Sequence, residues 1–245
     1  MVSTSEDPRT ARQHLHSVTD TTGHEQPGAH RHGFGRGHAH DGQPGTMHNP
    51  LRYEVLWQLG SAGRRSSIYR TLATVAGIRP GDQVLDVGCG PGPLTRAAAK
   101  VTGSSGHVIG VDLSPEMVGY ARRRAMIRRG APTEFRVGDA GALPVPDASV
   151  DVVVSALAWH HLPERAQAWA EVLRVLRPGG RLMIAEFRAP GGAAGRAVAG
   201  RVFGPAMAQD PTHQLRAEAA AAGATGVRVV RRRPLFLCLL AERPL

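Results

Sequence analysis

Apolar residues along this chain change spacing several times, and the changes outline its elements. Ahead of residue 80 the spacing is helical. Leu51, Val55 and Leu59, then Ile68, Leu72 and Val75, recur at three- and four-residue steps on either side of Gly60-Ser61-Ala62-Gly63. Two helices are therefore predicted in front of the first strand. From Gln83 onward, short runs rich in Val, Leu and Ile alternate with helical stretches. The runs 83–88, 107–112, 133–137, 150–155 and 181–187 read as strands. Helices are predicted from Gly92 to about Thr102, from Ser114-Pro115-Glu116 onward, and from Pro163 to Leu176, where Arg177-Pro178-Gly179-Gly180 stops the last one. A further helix from about Pro211 to Ala222 is followed by strands 226–231 and 235–240, joined so tightly at Pro234 that one must run antiparallel. Strand and helix alternating at this rhythm imply a parallel sheet with right-handed crossovers. The expected fold class is α/β: a seven-stranded, mostly parallel sheet, helices on both faces, and a C-terminal antiparallel hairpin strand.

The stretch Val84-Leu85-Asp86-Val87-Gly88-Cys89-Gly90-Pro91-Gly92 runs from a buried strand into a turn with glycine at alternate positions, and Leu94-Thr95-Arg96-Ala97-Ala98-Ala99 begins a helix after it. Glycine tolerates the positive φ of such a turn and leaves the backbone open to a ligand. The free N–H groups of the helix start, with the dipole behind them, favour a polar or anionic group above the turn. A nucleotide-like ligand is expected there. The spacing Gly88-x-Gly90-x-Gly92 departs from the Gly-x-Gly-x-x-Gly dinucleotide pattern. Asp112 ends the second strand, where a carboxylate can accept bonds from both hydroxyls of a ribose that carries no 2′-phosphate. Asp139 ends the third strand and Ser155 the fourth. In an open parallel sheet these strand ends share one edge, beside the crevice where ligands bind.

Six segments in order, Asp86-Val-Gly-Cys-Gly-Pro-Gly92, Gly110-Val-Asp-Leu-Ser-Pro-Glu-Met117, Gly138-Asp139, Asp151-Val-Val-Val-Ser155, His160-His161-Leu162 and Arg174-Val-Leu-Arg-Pro-Gly-Gly180, resemble the motifs of class I S-adenosylmethionine-dependent methyltransferases. The likeness is to the small-molecule type related to ubiquinone and menaquinone biosynthesis, and it covers about residues 79–187. It implies a Rossmann-like fold and S-adenosylmethionine as cofactor. By resemblance, Gly88, Cys89, Gly90 and Gly92 line the methionine part of that cofactor, with Asp86 near its amino group. Asp112 holds the ribose, Leu113 and Met117 pack on adenine, Asp139 and the Ala140 N–H reach the adenine edge, and Ser155 borders the methionine end. Methyl transfer from a sulfonium needs chiefly alignment, and a base only where the acceptor must lose a proton. His160, His161 and Glu186 are the candidates for that base. Tyr53 and Trp57, four apart on one helix face, and Trp159, larger than the residue usual in its stretch, are candidates for contact with a small-molecule acceptor.

Domain organisation follows from composition. Residues 1–48 hold eight of the twelve histidines and almost no large apolar side chains, so they cannot offset chain entropy and are expected to be disordered. The alternate histidines His30, His32, His38 and His40 form a candidate weak site for a divalent metal, although a start at Met47 would remove them. Residues 49–245 are read as the methyltransferase domain, with a helical cover at 49–78, a cofactor-binding core at 79–187, a substrate-cover insertion at 188–210 and a C-terminal helix and hairpin at 211–245. The net charge of +10 is carried by arginine, Lys100 being the only lysine. The runs Arg122-Arg123-Arg124 and Arg231-Arg232-Arg233 lack interleaved aromatics, so a solvated helix face or strand edge is favoured over nucleic-acid binding. Two cysteines, no basic-then-apolar leader and no apolar run of about 20 residues point to a cytoplasmic protein without a membrane span, disulfide scaffold or zinc knuckle. Three other readings stand beside the small-molecule enzyme: a nucleic-acid methyltransferase, a non-catalytic cofactor- or metal-binding protein with a histidine-rich arm, and an NAD-linked oxidoreductase.

Overall fold

The structure, a computed structural model, describes residues 64–125, 131–188, 192–203, 210–232 and 236–245. The histidine-rich tail, the first predicted helix, Tyr53 and Trp57 lie outside the described residues. Helix α1 (Arg65–Val75) precedes the first strand, β1 (Gln83–Val87). Then come α2 (Pro93–Thr102), β2 (His107–Asp112), α3 (Pro115–Ala125), β3 (Thr133–Val137) and β4 (Val150–Ala156). A single 3-10 turn at Trp159–His161 leads into α4 (Arg165–Val175) and β5 (Leu176–Phe187). The chain continues through α5 (Gly192–Phe203), α6 (Thr212–Ala221), β6 (Thr225–Arg232) and β7 (Phe236–Glu242).

The seven strands form one sheet in the order β3-β2-β1-β4-β5-β7-β6. Pairings among β1 to β5 are parallel, and β7 lies antiparallel to both β5 and β6. The hairpin therefore inserts its second strand beside β5 and leaves β6 at the edge. Arg228 stands exposed in this edge strand, where positive charge discourages pairing with another chain. The strand order reverses between β1 and β4, which opens a crevice at their C-terminal ends.

Alternation along the strands builds two apolar layers. Leu85, Val87, Val153, Ile184 and Leu237 meet Trp169, Val172 and Leu215 of α4 and α6 on one face. Val84, Val108, Val152, Val154 and Met183 meet Leu72, Leu94 and Ala98 of α1 and α2 on the other. Asp86 follows Val84 by two residues and so faces the α1–α2 layer. Ser155 and Glu186 follow Val153 and Ile184 and face the α4–α6 layer.

Two expectations change. The helix before this segment does end, at Val175, but strand β5 begins at Leu176 rather than Arg181, because Arg177-Pro178-Gly179-Gly180 is a bulge within it. The Gly179 N–H donates to the Arg243 carbonyl at 3.1 Å and the Arg243 N–H to that of Gly180 at 2.9 Å, so extended chain at the bulge keeps its partners. The small-residue insertion at 188–210 contains the helix α5, whose period was obscured by Gly195 and Gly200.

Arg174 braces the loop between Asp139 and β4. Its guanidinium forks onto Glu171 at 2.6 and 2.7 Å, reaches Asp147 at 2.5 Å, and donates to the carbonyls of Leu143 at 3.1 Å and Val145 at 3.0 Å. Among the described residues no helix is long and apolar enough to cross a membrane, and no group of three or more His, Cys, Asp or Glu side chains is placed to hold a metal ion.

Candidate functional site

The three glycines after β1 all have positive φ, +69° at Gly88, +51° at Gly90 and +75° at Gly92. Their surroundings differ. A Cβ on Gly88 would stand 2.3 Å from the Ala158 methyl, and one on Gly92 would stand 2.7 Å from the Phe135 ring. At Gly90 nothing lies within 4 Å, so this is the glycine that opens toward free space. The turn is tied to β2, since the Gly88 and Cys89 N–H groups donate to the Val111 carbonyl at 2.8 and 3.0 Å.

Asp112 completes the tie. Its Oδ2 accepts the Gly90 N–H at 2.7 Å and its Oδ1 accepts the Ser114 N–H at 3.0 Å, leaving a further lone pair on each oxygen. Burial raises its pKa, while the bonds from Ser114 and Gly90 act in the opposite sense. Asp86 is fully buried on the α2 side, and its Oδ2 accepts the Thr95 hydroxyl at 2.6 Å. Desolvation pushes its pKa up to about 7, against the Thr95 bonds and with the help of the Asp112 charge. Two carboxylates from neighbouring strands thus bracket the glycine turn.

Leu113, 57% exposed, and Val137, 47% exposed, leave bare apolar surface on either side of Asp112, which pairs with Val137 in the β2–β3 register. Sequence reading missed Val137. Its signal was its place two residues before Asp139, at the end of an edge strand. Met117 is buried at 6% exposure, behind Leu113 in the chain. Asp139 is exposed and its Oδ1 accepts the Gly141 N–H at 2.8 Å, closing a tight turn that carries Ala140. The Cys89 side chain packs with Val118, Ala121 and Phe135, so only its backbone belongs to the turn. Burial first, then Asp86 and Asp112, hold its thiol well above the usual range.

Beyond β4 the chain bends at Leu157, which takes the left-handed φ of +58° while its N–H donates to the Ala185 carbonyl at 2.9 Å. The bend places Ala158 against Gly88 and starts the Trp159–His161 turn. His160 is held twice by Glu186, whose Oε2 lies 2.7 Å from Nδ1 and whose Oε1 accepts the backbone N–H at 3.2 Å. The His160 and His161 rings lie 3.9 Å apart at 43°. His161 is open to solvent on one side, yet partial desolvation and then the neighbouring His160 keep its pKa below the ordinary value. Ser155 Oγ is a buried side-chain polar atom without a hydrogen-bond partner among the described residues.

Trp159 is not at the crevice. It is 1% exposed in the α4–α6 layer, edge-on to Trp169 at 5.2 Å, with its indole N–H on Glu218 Oε2 at 3.2 Å. A large ring at this point of the chain is drawn into the core because α4 and α6 provide both a second indole and an acceptor for its N–H. Glu218 and Arg165, 3.0 Å apart, were not singled out by sequence, because a lone acidic residue on an alanine-rich helix carries no local signal. A hollow at the opposite end of the strands, lined by Gly77, Arg181, Leu182, Arg228 and Glu242, has none of these groups.

Known proteins resemble this chain in part. Methyltransferase domains match residues 85–184. An arsenite methyltransferase of Halobacterium salinarum is 44% identical over 111 residues, 45% of this chain and 28% of that protein. A ubiquinone/menaquinone biosynthesis C-methyltransferase of Ectopseudomonas mendocina is 36% identical over 141 residues, 57% of this chain and 55% of that protein. The match thus spans about half or less of these curated relatives. A solved S-adenosylmethionine-dependent methyltransferase from Aquifex aeolicus superposes on 80% of this chain and 98% of its own, with a TM-score of 0.67 at 23% identity. With the glycine turn, the carboxylate ending β2 and the strand order all in place, residues 85–184 of this chain match methyltransferase domains, and its fold is that of the solved S-adenosylmethionine-dependent methyltransferases.

Proposed function

We propose that this protein transfers a methyl group from S-adenosylmethionine to an O, N or C atom of a small-molecule acceptor by in-line displacement. The observation that carries the reading is the 2.7 Å bond from the Gly90 N–H to Asp112, which locks the glycine turn over the reversal in strand order. The residues fit an adenosyl cofactor. Gly90 has open space where a side chain would stand, the buried Ser155 hydroxyl lacks a partner among the described residues, and Leu113 and Val137 offer apolar surface beside Asp112. The bound cofactor supplies a methyl on a sulfonium sulfur, which departs as a neutral thioether.

In this reading the backbone of Gly88, Cys89, Gly90 and Gly92 lines the methionine part, and Asp86 provides charge for its amino group. The remaining lone pairs of Asp112 take the ribose hydroxyls. Leu113 and Val137 sandwich the adenine with Met117 behind, Asp139 and the Ala140 N–H reach its edge, and Ser155 borders the methionine. Alignment and exclusion of water do most of the catalysis. Where the acceptor must lose a proton, the His160–His161 pair takes it. Glu186 occupies Nδ1 of His160 and leaves Nε2 as the available nitrogen, so Glu186 positions rather than abstracts.

The quinone-pathway relative makes quinol and phenol rings the first acceptors to screen. Arsenite is disfavoured: trivalent arsenic is a soft, thiol-seeking centre, and the two cysteines of the chain are both buried. Calorimetry with S-adenosylhomocysteine, then a screen of quinols, phenols and amines with labelled methyl donor, tests the assignment. Micromolar binding and label transfer support it. Binding of NADH in place of S-adenosylhomocysteine overturns it.

A further inference from the structure

The turn that carries His160 and His161 is held from its two sides by side-chain bonds joined through the backbone of β5 and α6 into a circuit, and only one half of that circuit touches a histidine. On one side Glu186, near the end of β5, grips His160 through both ring and backbone. Two residues on, Arg188 Nε donates to Asp210 Oδ2 at 3.0 Å, and Asp210 Oδ1 accepts the Thr212 N–H at 3.0 Å at the start of α6. On the other side, Glu218 in the same helix accepts the indole N–H of Trp159 at 3.2 Å and that of Trp169 at 3.3 Å on Oε2, while Oε1 faces Arg165 at 3.0 Å. Trp159 is the residue before His160. The circuit thus runs from the histidine turn to β5, across to α6, and back to the turn.

A buried indole needs an acceptor for its N–H, which a neutral carbonyl could supply, yet here one carboxylate takes both. What the carboxylate adds is direction. It fixes the rotation of Trp159 and hence of the short turn, which has no regular helix of its own to hold it. We infer that Glu218 is a positioning residue for the His160–His161 pair, acting through the Trp159 indole. The name given to the pair, candidate base, rests on the proposed function; the mechanical claim about Glu218 does not.

The test compares E218A, E218Q and W159F in the full chain by NMR of the histidine imidazoles across pH, with S-adenosylhomocysteine affinity measured in parallel. Loosening the turn relieves His161 of part of its desolvation and of the neighbouring His160 ring. Its titration midpoint is therefore expected to rise by about 0.5 pH unit in E218A, toward the ordinary histidine value. W159F, which keeps a ring but lacks the donor, should reproduce that rise. E218Q keeps an oxygen for both indoles and should restore the wild-type midpoint, which separates the indole bonds from the charge facing Arg165. Cofactor-product affinity should change by less than about twofold in all three, since Glu218 lies outside the glycine turn. Unmoved imidazole signals in folded W159F, or an E218Q that behaves like E218A, overturn the inference. Should E218A fail to fold, W159F and E218Q still decide it. If the wild-type chain fails to bind S-adenosylhomocysteine, the functional reading falls and the imidazole titration continues to report on Glu218 alone.

Discussion

At Gly88 and Gly90 one residue type meets two different demands. Alanine at Gly88 would drive its methyl into that of Ala158, and the overpacking together with the left-handed backbone should lower stability by about 2–4 kcal/mol. Alanine at Gly90 meets nothing in the protein, so it should cost only the ~1–2 kcal/mol of backbone strain while weakening cofactor binding disproportionately. Urea unfolding and calorimetry on the two variants measure the contrast. Asp112→Ala removes the acceptor for two backbone N–H groups and, in the proposed function, for the ribose, and should weaken S-adenosylhomocysteine binding by about 1–3 kcal/mol. An unchanged dissociation constant would contradict the assignment.

Asp86 makes a pH prediction. Burial disfavours the charge and pushes its carboxyl up to about 7 from the ordinary aspartate value of 3.8. Between those values the folded state binds the proton more tightly than the unfolded chain. Stability therefore falls as pH rises through that window and remains lower above it. Asp86→Asn keeps an oxygen for the Thr95 hydroxyl and cannot ionise. The drop in Tm between pH 5 and pH 8 should shrink in this variant while cofactor affinity declines, as expected of a site that accepts a buried charge for the sake of a cationic ligand.

At the scale of elements, the ties outside the site hold its parts in register. Arg174 joins α4 to the loop that begins at Asp139, and its value lies in the carbonyls and the forked Glu171 rather than in the exposed Asp147. Arg174→Lys retains the charge but not the fork. It should lower stability by roughly 1–2 kcal/mol and speed amide exchange across 139–148, readable by hydrogen exchange with mass spectrometry. The 177–180 bulge shows the same logic. Proline and two glycines read locally as the end of a helix, which they are, and partners on Arg243 then keep the segment within β5. Helix α5 was missed for the reverse reason, since its glycines dilute a period that only the finished chain makes visible.

For the whole molecule, the division of labour follows from the range of the forces. Local steric and hydrogen-bonding preferences, together with apolar periodicity, are written residue by residue. The strands, their parallel sense, the antiparallel last pair, the glycine turn, the carboxylate ending β2 and the one just past β3 were all legible for that reason. The order β3-β2-β1-β4-β5-β7-β6 was not, nor was the face on which Asp86, Ser155 or Glu186 would lie. Those depend on contacts between residues far apart in the chain. Only the packed structure could show that Gly88 yields to Ala158, that the Cys89 thiol turns into the core, that Val137 stands exposed beside Asp112, and that Trp159 is buried with its N–H on Glu218. The sequence determined which chemistry stands at the sheet edge, because each motif is short and self-contained. The tertiary structure decided which side chains reach the crevice, because burial is a property of neighbours that no single segment carries.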